Sequence, residues 1–569
     1  GGTPTPAGGG GATLNPRRWW ILTAVSLGMF MALLDVTIVN IAVPAIMADL
    51  DSTVTKVSWV LNAYNLTLAV LFLSMGVLAD RWGQKRIFLF GLATFTLFSL
   101  FCGLAPNIEW LIAFRVGQAV GGAAMAPVSL AILLGVFPRE KQGMAVGIWG
   151  ALGTAAAAAG PSLGGILVEY FSWHWIFFVN IPIGIAAFLF ALSVIPEARH
   201  TERLASEGID VVGMGITAFG LFCLTLGLIE GNSWGWSSAG IVTLLVAAFV
   251  SYPVFVLWEL RGARFPMFDF RLLRIRSFTA ANSAMLAFAT AMGGAFLLLV
   301  IFLVSVLGYS ELRAALAMTV MPLTALVIAP NSGRLVDRIG PRYPAACGAV
   351  CMGIGLVLLA QVDAATTLSD VMWRVVFLGA GMGLTMPTIS AASVGSLPPQ
   401  SRGVGSGSLN MVRQIGFVLG VAILVSIFSH TATIGAATAT RQAVAYVAAQ
   451  QQIPEAARRQ ISADLVANAA QMRAGGGAGA RIKDPLAGAP QFPPGSPQAQ
   501  AQRLLSNRIA AIYKANIAGS FRWPFYAAAL AAFIAVVPAL LTGSRLGQFA
   551  GAEQGRPPET TKTGGPPTG

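Results

Sequence analysis

The most regular feature of the sequence is a series of long apolar runs separated by short polar segments. A helix needs about 20 mostly apolar residues to cross the hydrocarbon core of a membrane, and fourteen runs reach or approach that length. The pattern therefore predicts an all-α membrane protein with fourteen spans. The predicted spans are Trp20–Val43, Val57–Leu78, Ile87–Leu104, Leu111–Leu134, Met144–Val168, Trp175–Ile195, Val211–Ile229, Ala239–Leu257, Phe278–Val306, Ala314–Ala329, Ala345–Ala360, Val371–Ala392, Leu409–Phe428 and Trp523–Leu541.

Composition and charge support this assignment. Of the 569 residues, 56% are hydrophobic and 10% are charged, whereas an ordinary soluble domain has roughly 25% charged residues. The net charge of +13 would suggest nucleic acid for a soluble protein, but here the bases lie mostly between the apolar runs. We therefore expect the lipid bilayer as a partner and no nucleic acid.

The distribution of basic residues predicts the orientation. Lys and Arg are concentrated in the N-terminal segment, in every second loop and in the C-terminal tail, whereas the short loops of the other side hold only Lys56, Arg313 and Arg374. Cytoplasmic loops carry the excess of basic residues, and an even number of spans puts both termini on one side. We expect a multi-pass protein of the inner (plasma) membrane with both termini cytoplasmic.

An internal repeat predicts two related halves. The segments "GVLADRWGQKR" and "SGRLVDRIGPR" place Asp80 and Asp337 257 residues apart, and two further segments place Arg115 and Arg374 259 apart. Such repeats put the substrate site between the halves, near the bilayer midplane. The predicted division is a disordered tail 1–18, a six-helix bundle 19–200, two inserted spans 201–262, a second six-helix bundle 263–542 and a disordered tail 543–569.

The second bundle contains a long external loop, 430–522, between spans thirteen and fourteen. It carries ten Lys or Arg residues, but long loops cross the membrane largely regardless of charge. Its first part is alanine-rich and could form helices, and its Gly/Pro-rich middle is predicted to be disordered. Partner docking and substrate shielding are alternatives; we favour a tolerated insertion.

Six short motifs carry a family resemblance. They are "LLDVTIVNIAVP" (Leu33–Pro44), "GVLADRWGQKR", "RVGQAVGGAAMAP", "GIWGALGTAAAAAGPSLGG" (Gly147–Gly165), "WHWIFFVNIPIG" (Trp173–Gly184) and "NMVRQIGFVLG" (Asn410–Gly420). In this order they resemble the fourteen-span drug:proton antiporter branch of the major facilitator superfamily, although His174 stands where the family usually has arginine. The resemblance implies a major facilitator fold of two six-helix bundles plus two inserted spans. It also implies a monomer that needs no cofactor because a proton gradient drives it.

Asp35 and Arg115 are the candidate proton-coupling residues. Asp35 lies fifteen residues into the first span, roughly 22 Å along the helix at 1.5 Å per residue. A carboxylate at that depth is costly unless it is paired, neutralised or hydrated. We infer that the proton on Asp35, the Arg115 charge and the substrate influence one another's binding. The alternative is an ion pair that only tethers helices.

Two further motifs predict conformational elements. The loop residues would form a latch that holds the halves together in the outward-facing state, although plain topogenic charge accounts for part of the motif. The span-five motif would form an antiporter-type hinge, although generic close packing is the alternative. The predicted latch residues are Asp80, Arg81, Gly83, Lys85, Arg86, Asp337 and Arg338, and the predicted hinge residues are Gly160, Pro161, Gly164 and Gly165.

Polar residues within the spans are candidates for the substrate cavity. Each could instead be a hydrogen-bonding contact between helices. The candidates are Asn62, Tyr64, Asn65, Gln118, Asn410, Arg413 and Gln414.

The leading function is proton-coupled antiport that exports lipophilic small molecules, as in multidrug or antibiotic efflux, from the cytoplasm or the inner leaflet. The alternative is export of an endogenous lipid, glycolipid or secondary metabolite. Besides Asp35, the spans hold only the marginal acids Glu169 and Glu230, so neutral or monovalent lipophiles are favoured. Nutrient symport is disfavoured by the span-five motif, and a receptor that keeps the fold without transport stays open.

An enzyme is not expected. The only three histidines, His174, His200 and His430, lie at span edges or in loops, which makes haem ligation improbable. The cysteines lack accompanying histidines or carboxylates, so no metal site is expected. The sequence contains no GxxxxGK[ST] loop for an ATP-driven permease.

Overall fold

A computed structural model describes residues 17–137, 139–196, 210–263, 270–397, 402–450, 454–474 and 497–543. Within these ranges the chain is helical, without strands, which confirms the predicted all-α class. The helices are α1 (Arg18–Asp49), α2 (Val54–Trp82), α3 (Gln84–Gly103), α4 (Ile108–Val136), α5 (Arg139–Tyr170), α6 (Trp175–Phe178), α7 (Asn180–Val194), α8 (Val211–Trp234), α9 (Ala239–Leu257), α10 (Arg276–Ile301), α11 (Glu311–Ile339), α12 (Arg342–Leu359), α13 (Leu368–Gly395), α14 (Arg402–Ala449), α15 (Glu455–Ala474), α16 (Pro497–Ser520) and α17 (Arg522–Leu541).

Every predicted apolar run is helical, and the sixth is divided into α6 and α7 at Val179. Twelve helices or helix pairs in the described residues are long and apolar enough to cross a membrane. The helices α2 and α5 are not among them, and both pack between other helices: α2 on α4 and α14, and α5 on α1 and α11. The count of fourteen crossings therefore stays a prediction.

Local signals in the sequence set several helix ends. The side chains of Thr53 and Asn107 accept hydrogen bonds from the backbone N–H groups of Lys56 and Trp110 at 3.2 and 3.0 Å, which caps α2 and α4. The α2–α3 turn has Gly83 at φ 101°, and the equivalent α11–α12 turn has Gly340 at φ 79°. Positive φ favours glycine, so both halves make the same tight turn.

The two ends of the molecule differ in how the halves meet. We call the end where α1 begins the inner end and the end where α1 finishes the outer end. At the outer end one continuous cluster of buried apolar side chains joins residues 38–61 and 102–111 to residues 288–321 and 421–436. At the inner end the described buried side chains form separate clusters, one within residues 21–32, 64–137 and 187–195 and another within residues 281–285, 345–409 and 539. Among the described side chains, buried apolar residues thus join the two halves at the outer end, whereas each half has its own cluster at the inner end.

The segment predicted as a loop at 430–522 contains regular structure. The helix α14 continues without a break from span thirteen to Ala449, and α15 and α16 pack against this extension. Residues 429–449, α15 and α16 form what we call the helical cap. Its own core consists of Ala439, Ala443, Val447, Leu465, Leu505, Ile509 and Tyr513. The alanine-rich part of the segment is therefore helical, as the sequence allowed, and its position outside the membrane stays a prediction. Residues 475–496, the predicted disordered middle, lie outside the described residues.

Candidate functional site

Asp35 and Arg115 form an ion pair in the interior of the first half. Arg115 Nη1 lies 2.5 Å from Asp35 Oδ2, and the two side chains are 1% and 0% exposed. The helices α1 and α4 carry the pair, since α1 packs directly on α4. Burial removes competing water, so the two charges interact far more strongly than an exposed pair would.

Further polar groups complete a network around the carboxylate. Gln118 Nε2 donates to Asp35 Oδ1 at 2.9 Å and to Ser99 Oγ at 3.1 Å, and Gln118 Oε1 accepts from Arg115 Nη1 at 2.6 Å. Asn180 Nδ2 also donates to Ser99 Oγ, at 3.1 Å. Both carboxylate oxygens of Asp35 are therefore hydrogen-bonded, Oδ2 to Arg115 and Oδ1 to Gln118. Ser99 and Asn180 were not predicted; their signal in the sequence was a polar residue inside an apolar run.

The guanidinium of Arg115 is held on its other side by α2 and α6. Arg115 Nε donates to the carbonyl oxygen of Val60 at 3.2 Å. Its Cζ lies 4.0 Å from the centroid of the Tyr64 ring and 5.8 Å from that of Phe177, distances within the range of cation–π attraction. Arg115 is therefore positioned by four helices.

A cavity of about 80 Å³ lies between the halves next to this network. Arg115 lines it, whereas Asp35 does not, so the carboxylate lies behind the guanidinium as seen from the cavity. Among the described residues that line the cavity, Arg115 is the only charged one. The first half contributes Val36, Thr37, Asn40, Leu61, Tyr64, Asn65, Arg115 and Pro161, and the second contributes Met292, Gly293, Phe296, Met321, Pro322, Met382, Phe417 and Val421.

The wall of the cavity on the second half is apolar and deformable. Met292, Met321 and Met382 lie beside Phe296 and Phe417, and the flexible methionine side chain adapts to differently shaped partners. Pockets for drug-sized ligands typically measure about 300–1,000 Å³. The cavity must therefore widen before a molecule of that size can bind.

Some of the residues predicted to line the cavity do so, and others lie elsewhere. Tyr64 and Asn65 line the cavity, and Gln118 lies in the network behind it. Asn62 is fully buried, and neither polar atom of its amide has a hydrogen-bond partner in the described part of the chain. Asn410, Arg413 and Gln414 lie on α14 before the lining residue Phe417 and do not line the cavity.

The predicted hinge glycines lie where α5 is in close contact with α1 and α11. A Cβ added at Gly160 would lie 2.8 Å from Thr37 Cβ and closer still to Thr37 Oγ1. One at Gly164 would lie 2.9 Å from Ile38 Cγ1. One at Gly165 would lie 2.6 Å from Ala315 Cβ. The glycines thus permit close contact of α5 with α1 and with α11, and Pro161 lines the cavity.

The predicted latch residues lie around the inner-end turns. Lys85 Nζ donates to the carbonyl oxygen of Leu192 at 2.9 Å, a contact within the first half, and Gly83 forms the tight turn. Arg86 and Arg338 are exposed. The side chains of Asp80, Arg81 and Asp337 lie outside those that the structure describes, so the latch stays a prediction.

Comparison with known proteins agrees with this architecture. The chain is 35% identical to the "Tetracenomycin C resistance and export protein" of Streptomyces glaucescens, over 74% of this chain and 77% of that protein. It is 31% identical to the "Multidrug resistance protein Stp" of Mycobacterium tuberculosis, over 81% of this chain and 83% of that protein. The fold is similar to that of a bacterial homologue of the human lysosomal transporter Spinster in its inward-facing, occupied conformation. For that structure the TM-score is 0.57 and the identity 17%, with 93% of this chain and 97% of that chain covered.

A family match defines the assignment. Residues 25–421 match the profile of the Major Facilitator Superfamily. This range contains the Asp35–Arg115 network, the cavity and both inner-end turns. The chain is therefore a membrane transporter that belongs to the Major Facilitator Superfamily.

Proposed function

We propose that this transporter is a proton-coupled antiporter that exports lipophilic small molecules, of the fourteen-span drug:proton antiporter type, with both termini in the cytoplasm. The observation that carries the proposal is the buried Asp35–Arg115 pair, in which Arg115 lines the cavity and Asp35 lies behind it. An intramembrane ion pair is costly to bury and marks a proton or ion pathway by default. The inner end then faces the cytoplasm.

Coupling between proton and substrate follows from the position of Arg115, which lies between the Asp35 carboxylate and the cavity. In this conformation Arg115 and Gln118 hold both carboxylate oxygens of Asp35, and Asp35 is the proposed site that exchanges a proton with the cytoplasm. When the outer end opens, a proton from outside neutralises Asp35 and removes the partner of Arg115. The guanidinium then becomes an uncompensated positive charge at the cavity, which weakens the binding of a cationic substrate. Proton and substrate therefore compete although they occupy different atoms.

The cavity wall favours lipophilic substrates of varied shape. Its methionines and phenylalanines offer apolar contact without a rigid outline, and Thr37, Asn40 and Asn65 add a few polar contacts. The names of the two relatives, for antibiotic export and for multidrug resistance, support the same substrate class. A single chain supplies both halves of the cavity, so the proposed working unit is a monomer.

A second candidate is export of an endogenous secondary metabolite. It is favoured by the relative named as both a resistance and an export protein. The two candidates share the coupling chemistry and differ only in the natural substrate.

The test is substrate-induced proton movement in proteoliposomes. Purified protein would be offered ethidium, tetraphenylphosphonium and several neutral antibiotics while a pH-sensitive dye reports protons. Asp35→Asn removes the proposed proton site, and Asp210→Asn is the matched control because Asp210 is also a buried carboxylate but caps α8, away from the network. Proton movement lost only in Asp35→Asn supports the proposal. Proton-coupled transport that survives in Asp35→Asn contradicts the proposal. If none of the compounds causes proton movement, export of an endogenous metabolite becomes the favoured function.

A further inference from the structure

A second apolar space lies directly behind the cavity wall of the second half. The side chains of Met292, Phe296 and Met321 line both the central cavity and this space, which measures about 10 Å³. These side chains therefore separate the two spaces. We call the three residues the partition and the space behind them the annex.

The annex lies inside the second helix bundle and not between the halves. Its far side consists of Met352 and Leu356 on α12 and of Val375 and Leu378 on α13, which are at most 5% exposed. No described residue of α12 lines the central cavity, so the annex reaches one layer of helices deeper than the cavity does. Every described residue that lines the annex is apolar, and a charged group would lose its hydration there without compensation.

Close contacts between α12 and α13 fix the far side of the annex. A Cβ added at Gly381 of α13 would lie 2.8 Å from Met352 Cβ, and one added at Gly355 of α12 would lie 3.2 Å from the backbone nitrogen of Leu378. The two helices are thus in close contact at the residues that line the annex. Moving this side would require the helices to separate.

The partition is the side that can move. Met292 and Phe296 are half-buried, and the flexible methionine side chain fits spaces of different shape. Protein interiors leave few voids larger than a water molecule, so the space behind the partition gives Met292 and Met321 room for another rotamer without displacing a helix. Rotation of either methionine joins the annex to the central cavity.

Polar and apolar contacts lie on opposite sides of the joined space. The polar side chains that line the central cavity all belong to the first half, and the residues that the second half contributes are apolar. A bound amphiphile would therefore place its polar group against the first half and its apolar part towards the annex, where burial of apolar surface is favourable. The polar lining residues are Thr37, Asn40, Tyr64, Asn65 and Arg115.

The side chains around the annex favour an aromatic group over an alkyl group. Met292, Met318, Met321 and Met352 all line it, and the methionine sulfur makes favourable contacts with aromatic rings.

We propose that the annex is a substrate subsite that accepts a neutral aromatic ring when Met292 or Met321 rotates aside. The inference rests on the proposed export function, because the ring belongs to the exported molecule. The favoured substrate is thus an amphiphile with a polar group at one end and an uncharged ring at the other. The ring supplies the apolar contact that the small central cavity lacks.

The experiment measures entry of a ring into the annex in purified protein, without a proton gradient. Met352→Cys, in a variant with the four native cysteines replaced, places a thiol on the far side of the annex. Benzyl methanethiosulfonate carries an aromatic ring and its trimethylammonium-ethyl analogue carries a charge; intact mass reports the labelling by each. Ala349→Cys is the matched control, because Ala349 is 0% exposed and lies on α12 like Met352 but lines neither space. Val375→Cys, a change of small volume on α13, is a second reporter should Met352→Cys fold poorly.

We expect the benzyl reagent to label Met352→Cys about tenfold faster than Ala349→Cys, and the charged analogue to label neither appreciably, since the annex offers a charge no compensation. Adding Ala295→Leu, which fills the annex from α10, should slow benzyl labelling. Adding Ala291→Leu, one turn away on α10 and lining neither space, should leave it unchanged. Equal labelling of the two thiols, absence of labelling at both reporters, or equal effects of the two leucines would overturn the inference.

A protection measurement joins the annex to the substrate. Tetraphenylphosphonium should slow benzyl labelling of Met352→Cys, whereas tetraethylphosphonium, which has the same charge but no ring, should not. Equal protection by the two ions, or none by either, would remove the substrate ring from the annex. Because labelling needs neither proton movement nor export, the annex can fail this test while antiport stands, and antiport can fail while a ring still enters the annex.

Discussion

The Asp35–Arg115 pair allows the structural and the coupling roles of a buried charge to be separated by a double-mutant cycle. Asp35→Asn keeps the shape of the side chain and an acceptor for Gln118, but leaves the Arg115 guanidinium, 1% exposed, without a counter-charge. Arginine cannot relieve this by losing its proton. The combined variant Asp35→Asn/Arg115→Gln removes both charges and leaves neutral groups of similar length.

The magnitudes follow from the contacts that remain. Removing one partner of a buried ion pair costs about 3–5 kcal/mol. In Asp35→Asn, Arg115 keeps the Gln118 and Val60 oxygens and the Tyr64 ring, so we expect the lower limit, about 3 kcal/mol. At about 1.36 kcal/mol per factor of ten this is roughly 160-fold in an equilibrium constant. The double variant should recover most of the loss, because replacing both charges is often nearly neutral.

The assay has two readouts on the same four proteins. Thermal unfolding followed by intrinsic tryptophan fluorescence reports stability, and substrate-induced proton movement reports coupling. We expect the stability of the double variant to return towards wild type while its coupling stays absent. If the stability losses of the two single variants add up in the double variant, the charge pairing is refuted. If Asp35→Asn still shows proton-coupled exchange, the pair only tethers the helices to each other.

Three further outcomes are expected. Gly160→Ala should lower stability and slow exchange by overpacking worth about 1–3 kcal/mol, and Thr37→Ala should partly rescue it because it removes the nearest clashing atom; absence of rescue contradicts the assigned contact. Burial lowers the pKa of His174 below its ordinary value, partly opposed by Asp49, so its contribution to stability is present above about pH 6.5 and is lost as the pH falls through the lowered value. His174→Gln should therefore flatten the acid-side fall in melting temperature, and an unchanged pH profile counts against this. Ile509→Asp should unfold the helical cap, as limited proteolysis would detect, while proton exchange persists if the cap is a tolerated insertion; abolished exchange would give the cap a role in transport.

The sequence predicts the helices well because their signal is local. Long apolar runs, caps such as Thr53 and the paired turns at Gly83 and Gly340 are each set within a few residues. The helical cap is harder, because its alanine-rich helices lack long apolar runs and are stabilised by mutual packing around residues such as Ile509. Sequence periodicity gives no direct measure of such packing.

The site is predicted in part for the same reason. Asp35 and Arg115 stand out as rare charges in apolar runs, whereas Ser99 and Asn180 join the network only because α3 and α7 bring them together. Polarity also misleads: the cavity wall on the second half is mostly methionine and phenylalanine, residues that a search for polar candidates passes over. Which side of a helix faces the other half is decided by packing across more than two hundred residues of sequence.

The unbroken helix α14 is long enough for a small tilt at its inner end to produce a large displacement at its other end. It runs for 48 residues from the inner end to the tip of the helical cap, about 72 Å at 1.5 Å per residue. A tilt of about 10° pivoting at its inner end would swing the tip by about 12 Å over that length. Because α17 follows α16 back into the second half and α14 packs on α10 and α17, we expect the cap to move with that half. Two fluorescent dyes, one at Arg441 and one at the outer end of the first half, would therefore report a small rotation in the membrane as a large change in the distance between them. Single-molecule measurements of this distance would follow the proposed alternation between inner-open and outer-open conformations.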